Sequence, residues 1–205
     1  MFPVLLASAS PRRRQLLGQV GFHVTTRPVD VDEAPGVDED PLALVTRLAE
    51  TKAEAAIRTR SGSEPRVGIA ADTIVWTTDG HVLGKPKDES DAVRMLTALS
   101  GRRHRVSTGF SIFDTAAGAI VSTQAVTTEV AFRDFTEARA RAYVATGEPM
   151  DKAGAYGIQG MGAVLVRGIR GSYTNVVGLP IGEVVAGLQD AGMMTGYAWE
   201  APDHV

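Results

Sequence analysis

Strand hairpins interrupt the alternation of strands and helices along this chain, and this pattern restricts the fold more than any other feature. Asp40 and Pro41 begin an amphipathic helix that continues to about Arg58. The Val- and Ile-rich run 66–76 leads through turn residues into a short apolar segment, 81–83, which is typical of a β-hairpin. Because hairpins pair antiparallel strands and helical crossovers pair parallel ones, the pattern predicts an α/β fold with a mixed sheet, flanking helices and a cleft.

The remaining periodicities complete this prediction. An apolar run at residues 4–7 precedes a helix that begins near Pro11. Further helices are predicted at 88–99, 136–144 and 180–188, and further strands at 104–113, 119–132 and 163–166. The sequence shows no repeat and no clear linker. We therefore predict a single domain over residues 1–191 and a mobile C-terminal tail over residues 192–205.

The composition excludes several classes of function. With 205 residues, 44% of them hydrophobic, and a net charge of −3, the chain is globular in type and has no general attraction to nucleic acid or to an anionic membrane. It contains no cysteine, which excludes disulfides and a catalytic thiol. No apolar run approaches the roughly 18 residues of a membrane span, and no signal-like segment is seen. We expect a cytoplasmic protein with no nucleic-acid or membrane partner.

Residues 8–13 read Ser-Ala-Ser-Pro-Arg-Arg and predict an anion site. Ser10 and Pro11 suit the start of a helix, where unpaired backbone N–H groups converge. Arg12 and Arg13 add forked donors that match phosphate oxygens. Basic side chains in a first helical turn oppose the helix dipole, which favours a bound anion. A solvated cationic helix end is the alternative that this segment alone leaves open.

Two acidic positions predict a metal site. Asp72 interrupts an apolar strand, where an ionised carboxylate needs a cation or a hydrogen-bond donor. Asp32 and Glu33 are adjacent in a polar loop. If this loop converges with Asp72, two carboxylates plus substrate phosphates are the ligands that Mg²⁺ or Mn²⁺ accepts. The alternatives are a structural carboxylate at Asp72 and solvated acids in the loop.

Two further segments carry groups suited to a nucleotide. Lys85 lies between Gly84 and Pro86, so a turn presents its ammonium either to a phosphate or to solvent. Residues 151–160 form a glycine-punctuated segment in which Gln159 can donate and accept at a nucleobase edge. Turn-forming glycines alone also explain that spacing. A P-loop, a dinucleotide-binding glycine motif, a serine elbow and a metal-spaced histidine pair are all absent from the sequence.

Taken in chain order, five motifs resemble those of the Maf family of nucleotide pyrophosphatases. The motifs are Ser8 to Arg13, Ala71-Asp72-Thr73, Gly84-Lys85-Pro86, Asp151 to Gly160, and Gly171-Ser172-Tyr173 through Gly178-Leu179-Pro180. The similarity extends from about Leu5 to Glu183, and five separated motifs are far more specific than one. The resemblance implies an elongated mixed sheet in two lobes with a central cleft, as in inosine triphosphatases. Because members are often dimeric, it also implies a homodimer.

The same resemblance implies an activity and a set of site residues. The expected reaction is hydrolysis of a nucleoside triphosphate between its α and β phosphates, with a divalent cation and attack by water. Asp72 is implied as the proton acceptor and, with Glu33, as a metal ligand. Phosphate-binding positions are implied at Ser8, Arg13, Lys52 and Lys85, and specificity positions at Arg12, Thr73 and Gln159.

The loop sequence also bears on the substrate. Its Lys-Ala-Gly-Ala-Tyr-Gly-Ile-Gln-Gly form resembles the subgroup that prefers dTTP and UTP, and modified pyrimidine nucleotides are included in the expectation. A 7-methyl-GTP subgroup typically has glutamate where Gln159 stands, which would suit a cationic methylated guanine. The family is also linked to blocking septum formation, so a non-catalytic nucleotide-binding regulator of cell division is the other alternative. Carboxylates without a metal would repel a triphosphate, which favours hydrolysis.

Overall fold

Seven strands form one sheet in the computed structural model, which describes residues 1–200 of the chain. The strands are β1 (Phe2–Leu6), β2 (Phe22–Thr26), β3 (Val67–Thr77), β4 (Val82–Leu83), β5 (Arg103–Asp114), β6 (Ala119–Phe132) and β7 (Val166–Arg170). Their order is β2-β1-β3-β5-β6-β7, with β4 paired to β3. β2 and β3 run parallel to β1, whereas β4 is antiparallel to β3 and β7 to β6. The predicted mixed sheet is confirmed.

Six α-helices accompany the sheet within residues 1–200. They are α1 (Pro11–Gln19), α2 (Pro41–Arg58), α3 (Glu89–Leu99), α4 (Glu137–Val144), α5 (Tyr173–Val177) and α6 (Ile181–Asp190), and short 3₁₀ helices span Glu148–Asp151, Ala153–Ala155 and Gly160–Leu165. The side chains of Ser10, Asp40, Asp88 and Thr136 each accept a hydrogen bond from a backbone N–H of the helix that follows. These caps explain why the predicted helix starts are confirmed, since capping is a local property.

Three elements differ from the prediction. The strand expected at 163–166 begins only at Val166, because a 3₁₀ helix occupies Gly160–Leu165. β2 was not predicted, since Phe22 is its one buried residue and its two apolar residues, Phe22 and Val24, are too few to establish an alternating pattern. Its pairing to β1 over five residue pairs holds it in the sheet. The five-residue helix α5 is too short for a 3.6-residue periodicity to reveal it.

Two compact units make up the described chain. Unit 1 contains residues 1–72, 109–125 and, within the described range, 178–200; unit 2 contains residues 73–108 and 126–177. β3, β5 and β6 each contribute residues to both units. The domain boundaries predicted from the sequence stay a prediction. Among the described residues, no helix has both the length and the apolar character needed to cross a membrane.

In unit 1, α2 packs closely on β5, and this packing places Lys52. Gly109 of β5 makes the close approach possible, because a Cβ atom there would lie 2.2 Å from the carbonyl oxygen of Val45. The buried face of α2 includes Leu44, Leu48 and also Lys52. The helix therefore directs one ammonium group toward the interior of unit 1.

The predicted tail is partly packed on unit 1. Met194 and Ala198 are buried, and the side-chain amide of Gln189 donates a 2.6 Å hydrogen bond to the carbonyl oxygen of Gly196. The mobile tail expected over residues 192–205 stays a prediction, and residues 201–205 lie outside the described residues. The sequence carries no periodic signal here because the contacts are made by irregular backbone.

Candidate active site

In unit 1, the ammonium of Lys52 lies between two carboxylates. Its Nζ atom is 2.6 Å from Asp72 Oδ1 and 2.5 Å from Glu33 Oε1. β3 supplies Asp72, α2 supplies Lys52, and the loop between β2 and α2 supplies Glu33. The predicted convergence of Asp72 and Glu33 is therefore observed. The cation that they share in this structure is a side chain of the protein itself. We call Glu33, Lys52 and Asp72 the acidic cluster.

The two carboxylates differ in their exposure to water. The side chain of Asp72 is 12% exposed and that of Lys52 is 9% exposed, whereas that of Glu33 is 55% exposed. Breaking a buried ion pair leaves an uncompensated charge, so the pair of Asp72 with Lys52 is costly to separate. An exposed ion pair contributes little to stability and can exchange partners. Glu33 is consequently the member of the cluster that can most easily turn to another cation.

Arg13 is buried beside the acidic cluster and is bonded to the backbone. Its Nε donates to the carbonyl of Gly178 at 2.8 Å, and its Nη1 donates to the carbonyl of Ala71 at 2.8 Å and to Ser8 Oγ at 3.0 Å. Burial lowers the pKa of the Arg13 guanidinium, and the negative charge of Asp72 opposes that effect. The guanidinium stays charged, because arginine is not deprotonated in proteins. Arg13 thus fixes the backbone immediately before Asp72.

The start of α1 has the local geometry that the sequence predicts. Ser10 caps the helix by accepting from the backbone N–H of Arg13, and Pro11 occupies the first turn. Ser8 Oγ accepts one bond from Arg13 Nη1 and another from the backbone N–H of Ser10 at 3.2 Å. Both acceptor positions of this hydroxyl are therefore used, so Ser8 can bind a further group only by donating its hydrogen. Arg12 is half-buried on the same turn.

Unit 2 contains the other predicted positions. Thr73 Oγ1 lies 2.9 Å from Thr108 Oγ1, and Lys85 is exposed in the turn after β4. Gln159 is half-buried in the segment that precedes the 3₁₀ helix Gly160–Leu165. The backbone N–H of Gly154 donates a 3.0 Å bond to the carbonyl of Gly84. The predicted recognition segment and the lysine turn are therefore joined by a backbone hydrogen bond within unit 2.

Sequence reasoning missed two polar side chains that organise unit 2, Glu148 and His104. Glu148 accepts hydrogen bonds from Tyr143 and from two backbone N–H groups. His104 is fully buried, its Nε2 atom lies 2.8 Å from the hydroxyl of Tyr156, and burial lowers the pKa of its imidazole to about 4. Neither residue belongs to a spacing that indicates chemistry. Glu148 stands before a proline in a polar stretch, and His104 stands in an alternating strand.

The residues present fit a hard divalent cation whose remaining ligands are supplied by water and by the phosphates of the substrate. Within residues 1–200, no group of three or more His, Cys, Asp or Glu side chains could hold a metal ion. Mg²⁺ is usually held by one or two carboxylates together with waters and substrate phosphates. Glu33 and Asp72 supply that number of carboxylates. A full cage of protein ligands is not needed for such a site.

The fold and the cluster define a class: an α/β protein with a mixed sheet, in which a strand, a helix and a loop of one compact unit bring two carboxylates and a lysine together. A protein-family model described as "Maf-like protein" matches residues 3–191. This range contains every predicted site residue. The chain belongs to the Maf family.

Several curated proteins are similar over nearly their whole length. The chain is 51% identical over 192 residues to a protein of Geobacter sp. strain M21 named dTTP/UTP pyrophosphatase, with 93% of this chain and 96% of that protein covered. It is 48% identical over 200 residues to a protein of the same name from Anaeromyxobacter dehalogenans, with 97% and 98% covered. Among solved structures, the Staphylococcus aureus Ham1 protein matches at 15% identity and a TM-score of 0.49, with 80% of this chain and 79% of that chain covered.

Proposed function

We propose that this chain is a nucleoside triphosphate pyrophosphatase that hydrolyses dTTP and UTP to the monophosphate and pyrophosphate. The observation that carries the proposal is the acidic cluster, in which Glu33 and Asp72 meet at the ammonium of Lys52. The relatives named dTTP/UTP pyrophosphatase support the choice of substrate, because they are about half identical to this chain over most of its length. A cytoplasmic location is part of the same proposal.

The acidic cluster supplies the groups that hydrolysis of a phosphoanhydride needs. An attacking water forms a new bond to phosphorus while the bond between the α and β phosphates breaks. Asp72 accepts the proton of that water, and pyrophosphate leaves. Lys52 donates a hydrogen bond to Asp72 and adds positive charge beside the phosphates. General-base assistance of this kind typically contributes 10²- to 10⁴-fold in rate.

Glu33 and Asp72 would hold a Mg²⁺ or Mn²⁺ ion. Such an ion, when bound, neutralises phosphate charge and polarises the bond that breaks. Ser8 would donate its hydroxyl hydrogen to a phosphate oxygen, since its two acceptor positions are already used. Arg13 would add positive charge from a fixed position, and Lys85 would act as a point charge on a phosphate.

A pyrophosphate-release assay tests this proposal. The substrates are dTTP, UTP, CTP, 7-methyl-GTP and the purine triphosphates, each with Mg²⁺, with Mn²⁺ and with a chelator. We expect dTTP and UTP to react fastest and the chelator to abolish turnover. Asp72→Asn should lower kcat at least about 100-fold, because the amide cannot accept a proton. Asp30→Asn changes an exposed acid of unit 1 and is the matched control, with less than about twofold effect expected.

Each alternative has its own result in this assay. Full activity in Asp72→Asn would overturn the mechanism. Faster turnover of 7-methyl-GTP would assign the chain to the other substrate class. Tight binding of UTP without release of pyrophosphate under any metal condition would identify a nucleotide-binding regulator.

A further inference from the structure

Glu148 is the centre of a hydrogen-bond network that binds the backbone on both sides of Gln159 in the sequence. Its Oε1 accepts from the hydroxyl of Tyr143 at 2.8 Å and from the backbone N–H of Gly162 at 2.9 Å. Its Oε2 accepts from the backbone N–H of Met161 at 2.8 Å. One carboxylate thus accepts three hydrogen bonds from neutral donors, two of them on the backbone two and three residues after Gln159.

Tyr143 extends the network to the other side of Gln159. Its hydroxyl oxygen accepts a 3.2 Å hydrogen bond from the backbone N–H of Gly157 while its hydrogen is donated to Glu148. The backbone is therefore fixed two residues before Gln159 and again two and three residues after it. The donor and acceptor directions of the Gln159 amide depend on the backbone between these points.

The backbone at Gly160 lies close to the carboxylate of Glu148. Gly160 has a φ of +69°, and a Cβ atom there would lie 2.7 Å from Glu148 Oε2. The carboxylate is in contact with the peptide that follows Gln159, so its position and the position of that peptide depend on each other. At the far end, the carbonyl of Glu148 accepts a 2.5 Å bond from Lys152 Nζ, which holds the start of the same segment.

The charge state of Glu148 agrees with this role. Burial by itself would raise its pKa, but hydrogen bonds from Gly162, Met161 and Tyr143 more than compensate, so the pKa of Glu148 lies below its ordinary value. The carboxylate is ionised at neutral pH and acts only as an acceptor. All three donors are thereby satisfied at once.

We propose that Glu148, acting through Tyr143 and the backbone of residues 157–162, is a positioning residue for nucleobase selection by Gln159. This inference rests on the proposed function, in which Gln159 recognises the base. Glu148 touches neither phosphate nor metal in this scheme. Its loss should raise KM and weaken base discrimination, because a displaced amide makes poorer hydrogen bonds to uracil or thymine.

The test compares Glu148→Gln with Glu137→Gln. Glutamine keeps the size of Glu148 but turns an N–H toward a backbone N–H. Glu137 lies on α4 in an exposed pair with Arg141, so the control removes the same charge in the same unit. For Glu148→Gln we expect KM for UTP to rise about tenfold, kcat to change less than about threefold, and the UTP over purine ratio of kcat/KM to fall about tenfold. Tyr143→Phe should shift the ratio in the same direction.

Three results would overturn the inference. One is a lower melting temperature for Glu148→Gln with an unchanged base ratio and unchanged KM, which would show a purely structural role. Another is an equal change in Glu137→Gln, which would show a general effect of charge. The third is a loss confined to kcat.

A wild-type chain that hydrolyses none of the nucleotides would instead overturn the proposed function. In that case, calorimetric titration with UTP decides the role of Glu148. A tenfold weaker Kd in Glu148→Gln supports positioning, whereas an equal Kd, or no binding by either chain, overturns it.

Discussion

A carboxylate lies at the centre of both candidate regions, but its partners differ. In unit 1, Asp72 and Glu33 face the ammonium of Lys52. In unit 2, the carboxylate of Glu148 accepts hydrogen bonds from the hydroxyl of Tyr143 and from two backbone N–H groups. A largely exposed carboxylate that is paired with an ammonium, as Glu33 is, can exchange that ammonium for a metal ion, and Asp72 stays ion-paired beside it. One that is bonded to three fixed neutral donors keeps its place and holds the backbone around it. The first arrangement suits chemistry, and the second suits recognition.

Among the substitutions that test this difference between the two regions, Lys52→Met is expected to have the largest effect, a loss of folding stability. Without the ammonium, Asp72 loses the cation that is in direct contact with it, and Arg13 is left as a buried positive charge nearby. Glu33 then adds a like charge that no ammonium separates from Asp72. Removing one partner of a buried ion pair typically costs 3–5 kcal/mol, so we expect the free energy of unfolding to fall by about 4 kcal/mol. Urea denaturation at neutral pH measures this change in the free energy of unfolding. Lys87→Met, at an exposed position, should change stability by less than about 0.5 kcal/mol.

If Lys52→Met were as stable as the wild type, the acidic cluster would not depend on its internal cation. The two regions would then not differ in the way described. Glu33→Gln gives a second check. Because the side chain of Glu33 is largely exposed, its loss should cost less than about 1 kcal/mol.

A slightly smaller effect on stability is expected in unit 2 when the pH is lowered, because His104 is buried there. Burial lowers the pKa of His104 from its ordinary 6.5 to about 4. Between these pH values the unfolded chain takes up a proton at this position and the folded chain does not, so stability falls as the pH is lowered from about 6.5 to 4. The full contribution is about 3 kcal/mol. In His104→Gln this part of the acid dependence should disappear, as measured by urea denaturation at pH 7 and pH 4.5.

His81→Gln, at an exposed histidine of the same unit, should keep the acid dependence of the wild type. If His104→Gln kept the acid dependence of the wild type as well, His104 would not be its source. The buried position beside Tyr156 would then tolerate a charged imidazole.

The smallest effect is expected from a charge placed in the recognition segment itself. Gln159→Glu replaces a group that donates and accepts by one that only accepts, so one hydrogen bond to uracil or thymine is lost. We expect kcat/KM for UTP and dTTP to fall about tenfold, with a smaller change for 7-methyl-GTP. Steady-state kinetics of pyrophosphate release measures it. Glu137→Gln, at an exposed position of the same unit outside this segment, serves as the control. Unchanged UTP kinetics would remove Gln159 from the specificity positions.

Much of the fold could be predicted because its signals are local. α2 begins at Pro41 after the Asp40 cap, and the hairpin of β3 and β4 follows from its turn residues. β2 could not be predicted in the same way. Its residues are mostly exposed, and its hydrogen bonds are all made with a strand elsewhere in the chain. The 3₁₀ helix before β7 likewise replaced an expected strand start, because glycine-rich backbone has no strong preference of its own.

In the candidate site too, local properties could be predicted from the sequence and long-range contacts could not. Residue types and motif order were enough to select Asp72, Glu33 and Gln159 as positions of interest, because charge, hydrogen-bonding capacity and local turn chemistry belong to each residue. The partners of those residues emerged only on folding. Arg13 bonds to the carbonyl of Gly178, which is 165 residues away, and Lys52 bridges two acids from separate segments. Such contacts depend on how helices pack on a sheet, and packing is a property of the whole chain and not of any short stretch of it.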